Sequence, residues 1–103
     1  MDQNKNAAPQ REAAMKSILA KMPGNDSASQ RARLLAAMQT LGHVTSYEGS
    51  RLLDCYDPRA RIHELRNKHG HTITTVMRDE ETESGVRHRV GVYFLSQAKE
   101  GST

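Results

Sequence analysis

The chain has one cysteine, Cys55, and no apolar run near the ~20 residues that a bilayer-spanning helix requires. A single thiol excludes an intrachain disulfide framework and fits a reducing compartment. The opening residues MDQNKNAAPQ have neither the basic nor the apolar part of a secretory signal. These absences lead us to expect a soluble, cytoplasmic protein with no membrane partner. Hydrophobic residues make up only 36% of the 103, and mean hydropathy is −0.75. With so little apolar surface to bury, roughly 70 residues are expected to be ordered.

Signals for chemistry are equally scarce. There is no Cys-x-x-Cys pair, no glycine-rich phosphate loop and no nucleophile elbow. The histidines are His43, His63, His69, His71 and His88, and His69-Gly70-His71 with Cys55 matches no structural zinc spacing. We therefore expect no enzyme, no cofactor and no metal. Internal repeats and low-complexity tracts are also missing. What the chain does have is positive charge: 15 Lys and Arg against 12 Asp and Glu, a net +3 and a pI near 9.3. That balance favours a polyanionic partner.

The pattern of residues divides the chain into 1–26, 27–95 and 96–103. Residues 1–26 read as a flexible N-terminal segment, polar over 1–8, with a helix over 9–22. Ala14, Ile18, Leu19 and Met22 recur there at helical spacing, and PGNDSAS (23–29) interrupts the pattern. The segment 28–42 predicts a firmer helix, capped by Ser27 or Ser29 and closed by Gly42. Leu34, Leu35, Met38 and Leu41 line its inner face, with Arg31 and Arg33 directed elsewhere. His43-Val44 suits a very short strand. Thr45 and Glu48 then form a T-x-x-E capping box for a short helix ending near Asp54, with Leu52, Leu53 and Tyr56 as core candidates.

The third helix of the ordered part is the stretch DPRARIHELRNKHG (57–70). Asp57 suits the N-cap, Pro58 the first helical position, and Gly70 the C-terminal stop, giving a helix over 58–68. Two helices joined this tightly make a helix-turn-helix. At about 100° per residue, Pro58, Ile62, Leu65 and His69 share a buried side, and Ala60, Glu64 and Asn67 lie opposite. Then HTITTVMR (71–78) and VRHRVGVYFL (86–95) read as strands around the acidic stretch DEETESG (79–85). Ile73, Met77, Tyr93 and Leu95 are candidates for the inner face of this hairpin, although Val90, Val92 and Phe94 leave the phase of its second strand open. Residues 96–103 read as a disordered tail.

The resulting fold class is α+β. Its layout is that of a winged helix-turn-helix: a three-helix core with a C-terminal β-hairpin wing, plus an extra N-terminal helix. On the third helix, Arg59, Arg61, His63, Glu64 and Asn67 are of the types that pair with base edges. Ser46, Tyr47, Lys68, Arg78 and Arg87 are placed to hold phosphates. The acidic tip, with Asp79, Glu80, Glu81 and Glu83, would be repelled by phosphates.

The stretch VTSYEGSRLLDCYDPRARIHELRNKHGHTI resembles the core of a small helix-turn-helix family common in bacteriophage and prophage proteins. The positions that carry the resemblance are Thr45, Glu48, Arg61, Ile62, Leu65, Arg66, Gly70 and Ile73. It covers roughly residues 30–95 and implies a winged-helix fold and DNA binding. The sequence departs from it at Gly49, where a helix former is expected, and at the acidic tip. The leading expectation is a sequence-specific double-stranded DNA-binding protein, a phage or prophage transcriptional regulator. It would insert helix 58–68 in the major groove and pair as a homodimer through residues 9–22. The alternative is a protein-binding winged-helix module, such as an inhibitor of a host factor, using the N-terminal helix and the acidic tip.

Overall fold

The computed structural model describes residues 2–81 and 84–96, with side chains from Pro9 onward. Glu83, counted above in the acidic tip, and residues 97–103 of the expected tail lie outside the described residues. The elements run α1 (Asp2–Lys21), α2 (Ser27–Leu41), β1 (His43–Thr45), α3 (Ser46–Leu52), α4 (Pro58–Asn67), β2 (Ile73–Glu81) and β3 (Arg87–Leu95). The strands form one antiparallel sheet in the order β1-β3-β2. Helices α2, α3 and α4 pack with it around a single core in which Leu34, Met38, Val44, Leu53, Ile62 and Tyr93 are all buried.

Local chemistry sets the helix ends. Asp26, rather than Ser27 or Ser29, caps α2, because its carboxylate accepts from both the backbone N–H and the hydroxyl of Ser29 (3.2 and 2.6 Å). Gly42 ends α2 at φ 91 and donates its N–H to Met38. The capping box of α3 is complete: Glu48 N–H donates to Thr45 Oγ1 at 2.9 Å, and Thr45 N–H donates to Glu48 Oε1 at 3.0 Å. In α4, Asp57 accepts from Ala60 N–H at 3.3 Å, Pro58 occupies the first turn, and Gly70 turns the chain at φ 74.

Gly49 explains its own presence. A Cβ there would lie 3.1 Å from Leu34 and 3.3 Å from the Pro58 ring. Glycine lets α3 approach both α2 and α4 more closely than a helix former would.

Several expectations need correction. The first helix begins before Pro9, which lies inside it, and residues 9–22 are not a detached flexible segment. Met15 is fully buried in the common core, and Arg11 donates to the Glu48 carboxylate (2.9 and 3.0 Å) and to the His43 carbonyl. One side of the helix expected to pair with a second copy thus packs on the protein's own chain, while Met22 stays exposed.

Arg33 does not point outward. It is fully buried and donates to the carbonyls of Leu53 (2.7 Å), Met22 (2.8 Å), Gly24 (2.9 Å) and Asp54 (3.2 Å). Tyr56 is 95% exposed, because Asp54 turns the chain at φ 53 and Cys55 takes the buried place. His69 is exposed, since α4 ends at Asn67 before the buried arc comes round again. Met77 is half exposed opposite Gly91. Residues 90–93 are all buried because β3 is the central strand. Tyr93 joins the core on one face, and Val90 and Val92 are buried on the other. The hairpin also pairs as far as Glu81 with Arg87, so its tip is shorter than 79–85.

Candidate functional site

Helix α4 is held on two flanks, and the window between them is its open surface. On one flank stands α2. Arg31 Nη1 donates to Glu64 Oε1 at 2.7 Å, Arg61 Nη2 to Glu64 Oε2 at 2.9 Å, and Arg61 Nη1 to Ser27 Oγ at 2.8 Å. Arg61 and Glu64, both expected at base edges, are therefore committed to the α2–α4 contact, and their side chains are only 18% exposed. The Arg31 hydrogen bond, helped by the charges of Arg61 and Arg31, holds the Glu64 carboxyl below its ordinary range.

On the other flank stands the sheet. Arg66 donates to the Ile73 carbonyl (2.8 and 3.1 Å) and to Thr75 Oγ1 (2.9 Å), tying the last turn of α4 to the start of β2. Between the flanks, Arg59, His63 and Asn67 are exposed at the i, i+4, i+8 spacing of one helical stripe. Asn67 Nδ2 donates back to the His63 carbonyl at 3.0 Å, which keeps the amide on the stripe. The wheel angles centred the open face on Ala60 and Glu64. Packing against α2 shifts it toward Arg59 and His63.

The phosphate candidates divide. Strand alternation puts Arg87 and Arg89 on the hairpin face that meets α4, with Thr75, Met77, Gly91 and Tyr93. Lys68 is exposed at the end of α4. Arg78 sits on the opposite face of the hairpin and pairs with Glu80 on its own strand. Ser46 Oγ accepts from Gly91 N–H at 3.2 Å, joining α3 to β3, and Tyr47 lines a separate depression with Ser50 and His88. The acidic hairpin is partly neutralised from within, since Asp79 meets Arg89 at 3.4 Å and Glu80 meets Arg78.

Where α4 faces the sheet, a groove of about 430 Å³ opens beside the stripe. Three arginines border it: Arg59, Arg66 and Arg89. The sequence alone assigns Arg66 no role in a site, whereas Arg89, with Arg78 and Arg87 near the base of the hairpin, is a candidate for the DNA backbone. The alternation of β3 together with the i+7 step from Arg59 to Arg66 was the signal available for grouping them. Among the described residues, no group of three His, Cys, Asp or Glu side chains is placed to hold a metal ion. No helix of the described residues is long and apolar enough to cross a membrane.

A family model described as a winged helix-turn-helix domain matches residues 29–98. No curated protein and no solved structure matches the chain.

Proposed function

We propose that this chain, which belongs to the winged helix-turn-helix domain family, is a sequence-specific double-stranded DNA-binding protein that acts as a transcriptional regulator of phage or prophage type. The observation that carries the reading is the open stripe Arg59, His63 and Asn67 on α4, with Arg66 and Arg89 bordering the groove beside it. The major groove is about 12 Å wide and admits one helix. In that groove Arg59 would pair with guanine and Asn67 with adenine, with His63 between them. Lys68 at the end of α4 and Arg87 on the hairpin would neutralise phosphates. Arg61 and Glu64 act indirectly, by holding α4 at its angle to α2. The reading assigns the protein no catalytic step. One domain makes few base contacts, so a second copy on a two-fold site would supply the remaining affinity.

The test is fluorescence anisotropy with mixed-sequence duplexes at about 50 and 200 mM salt, where counterion release makes phosphate contacts visible. Affinity should fall steeply between the two conditions. Arg59→Ala should weaken binding, and Glu81→Ala should not. Salt-insensitive or absent binding to every duplex would favour a protein partner instead.

A further inference from the structure

Tyr93 carries a feature that neither the core nor the base-reading stripe uses. It is only 3% exposed and belongs to the hydrophobic core. Yet among the described residues its hydroxyl has no hydrogen-bond partner. The hydroxyl oxygen itself is not sealed in the core, since the buried side-chain N or O atom left without a partner among the described residues is Arg61 Nε; the Tyr93 O–H opens to the surface. Its ring runs along β3 over Gly91, where a Cβ would stand 3.2 Å from the hydroxyl oxygen and 3.3 Å from Cζ. Both residues line the groove between α4 and the sheet. The hydroxyl thus lies at the floor of a groove whose rim carries Arg59, Arg66 and Arg89.

The three rim arginines outnumber the carboxylates near them, Asp57 and Asp79. Burial raises the Tyr93 pKa and the positive fields of Arg59 and Arg66 oppose that, leaving it above the ordinary phenol value. At neutral pH it is an O–H donor. Arg66 is fixed by the Ile73 carbonyl and Thr75. Among the described residues Arg89 is held by Asp79 alone, at 3.4 Å, an exposed pair that separates at little cost. An O–H donor open to the groove, with guanidinium groups on the rim, suits a compact anion with several oxygens.

We propose that the groove between α4 and the sheet binds a phosphate group, with the Tyr93 hydroxyl donating to one oxygen and Arg59, Arg66 and Arg89 supplying the countercharge. The phosphate is either a phosphodiester of the bound duplex, which rests on the DNA-binding reading above, or the phosphate of a small soluble ester. Gly91 keeps the hydroxyl in place by leaving room for the ring.

Tyr93→Phe tests this cleanly, because it keeps the ring in the core and removes a hydroxyl that bonds to no described residue. The variant should melt like the wild type and bind duplexes about tenfold more weakly, uniformly across sequences. A single methylphosphonate, walked along the duplex, should weaken the wild type at one position and leave Tyr93→Phe unaffected there. In a second arm, inorganic phosphate is titrated into the full chain and the Gly91 and Thr75 amides are followed by NMR. Their shifts should saturate in the wild type and not in Tyr93→Phe. Loss in the duplex arm identifies a backbone phosphate, and loss in the second arm alone identifies a small ester. Wild-type duplexes failing to bind would overturn the DNA reading while the phosphate arm still decides the groove. Equal behaviour of the variant and the wild type in both arms overturns the proposal.

Discussion

Arg31 and Glu64 meet across the α2–α4 contact at 2.7 Å, so the one acidic side chain of helix α4 faces its neighbouring helix rather than a ligand. That contact decides which residues of α4 remain available, and it makes the angle between the two helices depend on charge.

Two carboxylates should make the fold acid-sensitive. Burial pushes Glu48 up, but the Arg11 hydrogen bond and the Thr45 N–H outweigh it, so its pKa in the folded state is lowered. Glu64 is lowered chiefly by the hydrogen bond from Arg31. For both, the unfolded chain binds protons more readily than the folded one. The stability they provide is complete above the ordinary carboxylate range and is lost as pH falls through the depressed values. Urea midpoints measured from pH 7 down to 3 should decline, and Glu48→Gln should flatten the decline.

Arg33 should be the least replaceable charge in the protein. Arg33→Met would leave the carbonyls of Met22, Gly24, Leu53 and Asp54 without their donor. The expected loss is about 3 kcal/mol in chemical unfolding. Arg33→Lys should recover only part of it, because an ammonium cannot span four acceptors from a fixed fork.

Gly49→Ala sets two effects against each other. Alanine is better in a helix by about 1 kcal/mol, whereas forcing a methyl into a packed contact costs about 1–3 kcal/mol. With Leu34 and Pro58 both within 3.3 Å of the new Cβ, packing should win. We expect a net destabilisation of about 1 kcal/mol by urea titration.

Cys55 should behave as an inert thiol. It is fully buried, its Sγ lies 3.5 Å from Gln30 Oε1, and burial pushes its pKa up to about 11. Ellman's reagent at pH 8 should react no faster than the protein unfolds, so added urea should accelerate the reaction in step with loss of helical signal.

What was legible in the sequence was local. Asp57-Pro58, the Thr45/Glu48 capping box and Gly42 state their helix ends within a few residues, and the hairpin strands declare themselves by β-branched content. Long-range commitments were not legible. Nothing near Arg33 in the chain announces carbonyls at Leu53 and Asp54, and nothing near Glu64 announces Arg31. Periodicity places a residue on a helix face, but it cannot say which neighbouring element takes each flank. That is why Arg61 and Glu64 were grouped with Arg59, His63 and Asn67, and why Tyr56 was placed inside. Gly49 stood out as a cost in helix propensity, and its benefit came into view only once α2 and α4 were beside it.

The central claim is that the stripe Arg59, His63 and Asn67 on α4 reads base edges. Selection of bound sites from a random duplex pool, run in parallel on the wild type, Asn67→Ala and Glu64→Gln, tests it most directly. The account predicts one enriched motif for the wild type, relaxed preference at one or two base pairs for Asn67→Ala, and the wild-type motif for Glu64→Gln. No enrichment by the wild type, or a motif that changes with Glu64 and not with Asn67, would contradict it.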